Sequence, residues 1–186
     1  MAIVLASASP RRRELLALIT PEYQVSPSAL DESGITAETP AALTKKLAEE
    51  KCRDVASRCP EDVVIGCDTV VDCGGQVFGK PHDRADVVRM LRALSGGTHM
   101  VHTGVCIKCG TVEHSFVDTS RVTFFPLSES EIQAYADTAE PYDKAGAYAI
   151  QGRAALWLDK IEGDYYTIMG LPVSRLARAL TEIHAI

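Results

Sequence analysis

The sequence lacks any excess of positive charge and any long hydrophobic run. Its formal net charge is −6, whereas broad nucleic-acid binding needs many basic residues to neutralise phosphates. No apolar run approaches the roughly 20 residues that a membrane-spanning helix requires. We therefore expect a soluble protein that binds neither nucleic acid nor a membrane.

The chain also begins without a basic segment followed by a long apolar segment, the pattern of a secretory signal peptide. We therefore expect a cytoplasmic protein whose six cysteines stay reduced. Cys106 and Cys109 form a C-x-x-C pair, but no second pair completes a zinc site. Gly-x-Ser-x-Gly, Walker A and dinucleotide-binding motifs are absent as well, so none of these patterns identifies the chemistry.

What the chain does contain is typical of one globular domain spanning residues 1–186, with 46% hydrophobic and 24% charged residues. A mostly apolar run predicts a strand at 63–71, and two strands joined at Cys109-Gly110 are predicted near 100–107 and 113–124. A final pair of strands is predicted at 155–158 and 165–169. Helical patterns alternate with these strands, so the order predicts an α/β fold with a mixed sheet.

The helix starts are marked by capping residues. Ser9 and Thr39 each precede a proline, which is tolerated at the first helical position. Asp83 and Ser128 are further N-cap candidates, and Pro172 begins a last amphipathic segment. These signals predict five helices in the chain.

The stretch that follows the first apolar run combines serines with arginines. Capping by Ser9 places Arg11, Arg12 and Arg13 in the first helical turn, where the helix dipole disfavours cations. Ser7 and the first-turn N–H groups would face the same point, so an anion among them would explain the arginines. We therefore interpret the stretch as a phosphate-binding strand–loop–helix, the alternative being three exposed surface arginines.

A single carboxylate interrupts the most apolar strand. Asp68 lies within Val63–Val71, and a buried aspartate is costly unless it is paired, metal-bound or at a strand end. One interpretation is that Asp68 starts a turn. The other is that it holds Mg²⁺ or accepts a proton from an attacking water.

Three further signals are weaker. Gly79-Lys80-Pro81 is compatible with a phosphate contact or an ordinary turn, and Lys51 with a site or a solvated helix face. Asp31 and Glu32 are metal-ligand candidates or plain loop charges. Taken alone, the residues predict a protein that binds a phosphorylated small molecule with a divalent metal.

Together these motifs resemble the Maf family of nucleoside triphosphate pyrophosphatases. The matching residues, in order along the chain, are Ser7–Arg12, Asp31-Glu32, Lys51, Cys67–Val71, Gly79–Pro81, Leu94–His99, Thr103–Val105, Tyr142–Gly152 and Gly170–Pro172. One departure is Thr167, where the family often has asparagine.

The resemblance implies a long, bent mixed sheet flanked by helices, with two lobes and a central cleft, similar to inosine triphosphatase. It implies hydrolysis of a nucleoside triphosphate between the α- and β-phosphates, as nucleotide-pool house-cleaning. It assigns proton acceptance to Asp68 and substrate binding to Ser7, Arg11, Arg12, Glu32, Lys51 and Lys80. We further predict that Asp68 and Glu32 bind Mg²⁺ or Mn²⁺. A homodimer is a further family-level expectation.

Three positions mark the specificity branch of the family. Here they are Arg11, Thr69 and Gln151, a combination that resembles the branch acting on dTTP and UTP, with modified pyrimidine nucleotides as further candidates. The glutamine amide carries a donor and an acceptor, which match the N3–H and carbonyl edge of uracil or thymine. A nucleotidyltransferase and a non-enzymatic, nucleotide-binding regulator of cell division stay open as alternatives.

Overall fold

A computed structural model describes residues 1–186. Its central element is a seven-stranded sheet of order β2-β1-β3-β5-β6-β7, with β4 paired to β3. β1 runs parallel to β2 and β3, whereas β4 is antiparallel to β3 and β7 to β6, so the sheet is mixed as predicted. The strands are β1 Ile3–Leu5, β2 Gln24–Val25, β3 Val63–Cys73, β4 Gln76–Phe78, β5 Thr98–Cys109, β6 Val112–Phe124 and β7 Leu158–Glu162.

Six α-helices accompany the sheet: α1 Pro10–Leu16, α2 Pro40–Ala56, α3 Arg84–Leu94, α4 Glu129–Ala136, α5 Tyr165–Met169 and α6 Val173–Glu182. Ser9, Thr39, Asp83 and Ser128 each accept a first-turn backbone N–H through the side chain, which confirms the four predicted caps. Pro172 stands at the N-cap position of α6 without a side-chain bond. The α/β fold with flanking helices is confirmed, while the bend and the cleft stay predictions.

The chain forms two compact units. Unit 1 comprises Met1–Asp68, Thr103–Asp118 and Gly170–Ile186. Its core includes Val4, Ala48, Cys52, Val55, Val64 and Cys106, so α2 packs on the strands. Gly66 permits this packing, because a Cβ there would lie 2.3 Å from the carbonyl oxygen of Ala48.

Unit 2 comprises Thr69–His102 and Thr119–Met169. Its core is richer in aromatic and large aliphatic side chains, among them Phe78, Leu91, Phe124, Tyr135 and Trp157. Edge-on ring contacts join Phe124 and Tyr135 to Trp157. Helices α3 and α4 supply much of this core, as their apolar faces predict.

The predicted final pair of strands is wrong. Residues 153–157 form a 3-10 turn, and Tyr165–Met169 form helix α5. The β-branched and aromatic residues of this segment favour a strand. However, the Asp164 carboxylate accepts hydrogen bonds from both the backbone N–H (2.9 Å) and the hydroxyl (3.0 Å) of Thr167, and this cap starts a helix.

All six cysteines are free thiols, and Cys52, Cys67 and Cys106 are buried. None of the helices has the length and apolar character needed to span a membrane.

Candidate functional site

The phosphate-binding loop predicted from sequence lies at the carboxyl end of β1. β1 pairs with β3 in parallel register, Leu5 opposite Ile65, so the chain leaves β1 beside Cys67 and Asp68. Ser9 then caps α1 by accepting the N–H of Arg12 at 3.5 Å, while its own N–H donates to the Ser7 hydroxyl at 3.3 Å. The loop therefore delivers serine hydroxyls and arginines to the edge where β3 carries its carboxylate.

Arg12 is held in place by two groups within unit 1. Its Nε donates to the carbonyl oxygen of Gly170 at 2.8 Å, and its Nη1 donates to the Ser7 hydroxyl at 3.1 Å. Gly170 adopts φ of 110°, a backbone conformation that favours glycine. These two bonds fix the plane of the Arg12 guanidinium.

Asp68, the predicted proton acceptor, lies inside β3 and is buried. The Lys51 ammonium reaches it from α2, with Nζ 2.6 Å from Oδ1 of Asp68 and 2.8 Å from Oε1 of Glu32. The ammonium offsets the cost of burying the Asp68 carboxylate. The alternative that Asp68 starts a turn is wrong, because β3 continues to Cys73.

The charges of this set also act on the pKa of the buried Cys67 thiol. Burial raises the pKa of Cys67 to about 12, and Asp68 acts in the same direction, whereas Arg12 and Lys51 act against it. The charges of Arg12, Lys51 and Asp68 thus all affect the pKa of this one thiol. The structure gathers this cationic and acidic set around the end of β1 and the middle of β3.

The residues predicted to hold a divalent metal are two carboxylates, a donor type that suits Mg²⁺ or Mn²⁺. The Asp68 and Glu32 carboxylates converge on one position, which the Lys51 ammonium occupies. No cluster of three or more His, Cys, Asp or Glu side chains is arranged for a metal. Mg²⁺ is commonly held by one or two carboxylates together with substrate phosphates, so two carboxylates suffice.

The other predicted site residues belong to unit 2. Thr69 follows Asp68 directly on β3 and is half-buried. Lys80 is exposed after β4, and the preceding Gly79 is fixed because its carbonyl oxygen accepts the N–H of Gly146 at 3.0 Å. Gln151 is exposed between a 3-10 turn at Ala145–Ala147 and the one at Arg153–Trp157, so its side chain is accessible to a ligand.

Sequence reasoning missed the Gly170 carbonyl as the anchor of Arg12. The only sequence signal at this position was the Gly-Leu-Pro motif. Nothing in that motif indicates that the Gly170 carbonyl contacts Arg12. Thr167, whose role was in doubt, is buried and forms part of the α5 cap. Arg11 lies half-buried in the first turn of α1, beside Arg12.

Known structures of the same architecture include the Staphylococcus aureus Ham1 protein, with a TM-score of 0.60 and 14% identity over 98% of this chain and 99% of that chain. A Ham1 protein from Coxiella burnetii has a TM-score of 0.54 with 14% identity, covering 98% and 100% of the two chains. These likenesses show the fold.

Sequence relatives are much closer. A protein of Bacillus velezensis named dTTP/UTP pyrophosphatase is 47% identical, over 98% of this chain and 96% of the relative. Proteins with the same name from Koribacter versatilis (46% identity, 97% and 93% coverage) and Carboxydothermus hydrogenoformans (45% identity, 98% of both chains) are similar. The family model for Maf-like proteins matches residues 2–183, and the chain therefore belongs to the Maf-like protein family.

Proposed function

We propose that this protein hydrolyses dTTP and UTP between the α- and β-phosphates, releasing a nucleoside monophosphate and pyrophosphate. The observation that carries the proposal is the Lys51 ammonium held between Asp68 and Glu32 next to the arginine-bearing loop. Charges of both signs are needed there: cations for the triphosphate and a carboxylate for water. The names of the full-length relatives support the same reaction.

In the proposed reaction, water attacks the α-phosphorus as the bond to the bridging oxygen breaks. Lys51 contacts Oδ1 of Asp68, so we assign Oδ2 to the attacking water, whose proton it accepts. Arg12 and Lys51, with Arg11 and Lys80, neutralise negative charge on the phosphates. Positioned charge of this kind supplies most of the acceleration in phosphoryl transfer.

Asp68 and Glu32 are the residues that would hold Mg²⁺ or Mn²⁺. A divalent ion bound there would neutralise charge on the substrate phosphates. Arg11, Thr69 and Gln151 are proposed to select the base. A homodimer and a cytoplasmic location stay predictions.

The test is hydrolysis of a nucleotide panel in ¹⁸O-labelled water with Mg²⁺ or Mn²⁺. Attack at the α-phosphorus places the label in the monophosphate, whereas attack at the β-phosphorus places it in pyrophosphate. Label in pyrophosphate, or a preference for 7-methyl-GTP over dTTP and UTP, would contradict the proposal. Binding of dTTP without turnover with either metal would favour the non-enzymatic regulator.

Asp68→Asn tests the proton acceptor. The amide keeps the size of the side chain but cannot take the proton, so we expect a folded protein whose kcat falls by at least about 100-fold. Asp159→Asn is the matched control, since Asp159 is exposed on β7. If Asp68→Asn turns over dTTP at the rate of the control, the assignment of Asp68 is wrong.

A further inference from the structure

The segment around Gln151 is held by two side chains that the proposed reaction does not use. Gln151 lies in the middle of residues 149–153. The phenol oxygen of Tyr135 accepts the backbone N–H of Ala149 at 3.2 Å. The Glu140 carboxylate accepts the backbone N–H of Arg153 at 2.9 Å. These two contacts lie two residues before and two residues after Gln151.

The side chains of Tyr135 and Glu140 are also hydrogen-bonded to each other. The Tyr135 hydroxyl donates to Oε1 of Glu140 at 2.9 Å, the same oxygen that accepts from Arg153. Tyr135 is buried, and its ring packs edge-on against Trp157 with centroids 4.7 Å apart. The pair is therefore anchored in the core of unit 2.

Gly152 completes the arrangement. A Cβ on Gly152 would lie 2.0 Å from Oε1 of Glu140. The backbone next to Gln151 thus approaches the carboxylate more closely than any other residue type would allow. The Glu140 carboxylate occupies the space that a side chain at position 152 would fill.

The chemistry of Gln151 shows why a fixed backbone matters at this position. A glutamine amide rotated by half a turn exchanges its donor and acceptor. The amide alone therefore matches the N3–H and carbonyl edge of uracil or thymine and, after rotation, the acceptor and amino edge of cytosine. Selection between these bases requires the amide in one orientation and at one distance from the base, and a fixed backbone at Gln151 sets that distance.

From these contacts we infer that Tyr135 and Glu140 are positioning residues that set the base selectivity of Gln151. The inference rests on the proposed function, since it takes Gln151 as the residue that contacts the base. Tyr135 and Glu140 act through the backbone of residues 149–153 and contact no substrate. Their loss should therefore lower selectivity between pyrimidine bases while hydrolysis with Asp68 as proton acceptor continues.

The experiment measures the ratio of kcat/KM for dTTP to kcat/KM for dCTP. In Glu140→Ala we expect this ratio to fall about tenfold, toward the value of Gln151→Ala, because small displacements of a contact are costly. Glu140→Gln keeps an acceptor oxygen and should restore the ratio to within about threefold of wild type. Glu129→Ala, which removes an exposed carboxylate paired with Arg92, is the control and should leave the ratio unchanged.

A double-mutant cycle separates this role from general destabilisation. Gly152→Ala pushes a methyl group into the Glu140 carboxylate, so it should lower the ratio much as Glu140→Ala does. The double variant should be no worse than Glu140→Ala, since the clash has been removed. Effects that multiply would overturn the inference, as would a wild-type ratio in Glu140→Ala. Tyr135→Phe, which keeps the core ring, supplies the same test if Glu140→Ala does not fold.

Failure of the inference can be told apart from failure of the proposed function. If Gln151→Ala abolishes selectivity but Glu140→Ala and Tyr135→Phe retain it, the positioning role is wrong and the activity stands. If the wild-type protein hydrolyses no pyrimidine nucleoside triphosphate with Mg²⁺ or Mn²⁺, the proposed function is wrong and the positioning role falls with it.

Discussion

Replacement of Lys51 by methionine should lower the free energy of unfolding as well as the rate of hydrolysis. The substitution keeps the length and apolar stem of the side chain but removes the ammonium that pairs with Asp68. Only 12% of the Asp68 side chain and 15% of the Lys51 side chain are exposed. Removing one partner of a buried ion pair costs roughly 3–5 kcal/mol, and the residual exposure favours the lower end, about 3 kcal/mol.

The Asp68→Asn change should cost less. Lys51 keeps the Glu32 carboxylate at 2.8 Å, so its charge retains a partner. We expect about 1.5–2 kcal/mol, the lower part of the range for a lost hydrogen bond to a charged group. In the double variant Lys51→Met/Asp68→Asn, no charged carboxylate is left at position 68 without an ammonium partner. Its loss in free energy of unfolding should therefore be smaller than the sum of the two single losses by at least about 1 kcal/mol.

Urea unfolding followed by circular dichroism measures these free energies of unfolding. Lys160 and Glu162 provide the control cycle, because their pair is exposed on both sides (61% and 47%) and should show additive effects. If the Lys51 and Asp68 losses add to within about 0.5 kcal/mol, the reasoning from burial is refuted. The ion pair would then be a surface contact in solution.

Three further predictions concern other parts of the molecule. Arg12→Lys keeps the charge but cannot reproduce the bonded fork that holds Arg12 to Gly170, so kcat/KM for dTTP should fall about tenfold, and an unchanged value would contradict the anchoring role. Burial lowers the pKa of His99 from 6.5 to about 4. The neutral ring stabilises the fold above pH 6.5, and the free energy of unfolding should fall by about 3 kcal/mol as pH drops to 4. His99→Gln should lose less over that range; equal losses in urea titrations would refute this assignment. Gly66→Ala places a methyl group against the Ala48 carbonyl and should cost about 1–3 kcal/mol, a loss that a wild-type melting temperature would disprove.

Local signals predicted much of the fold correctly because their causes are local. The caps at Ser9, Thr39, Asp83 and Ser128 act within three residues, and each helix begins where its cap predicts. The apolar runs of β3 and β5 are almost continuously buried, because a central strand buries both faces of such a run. The error at Tyr165–Met169 arose because strand propensity was given more weight than the Asp164 cap.

The sequence by itself determined the helix caps, the central strands, the buried carboxylate at Asp68 and the arginine-bearing loop, since each follows from neighbouring residues. Only the tertiary structure decided what these residues contact. Lys51 resembles any lysine on a helix until α2 packs against Gly66 and brings its ammonium to Asp68. Gly170 lies 158 residues from Arg12, and no local pattern connects a backbone carbonyl to a guanidinium across that distance. Such partners are set by packing, which brings together groups that are far apart in the chain.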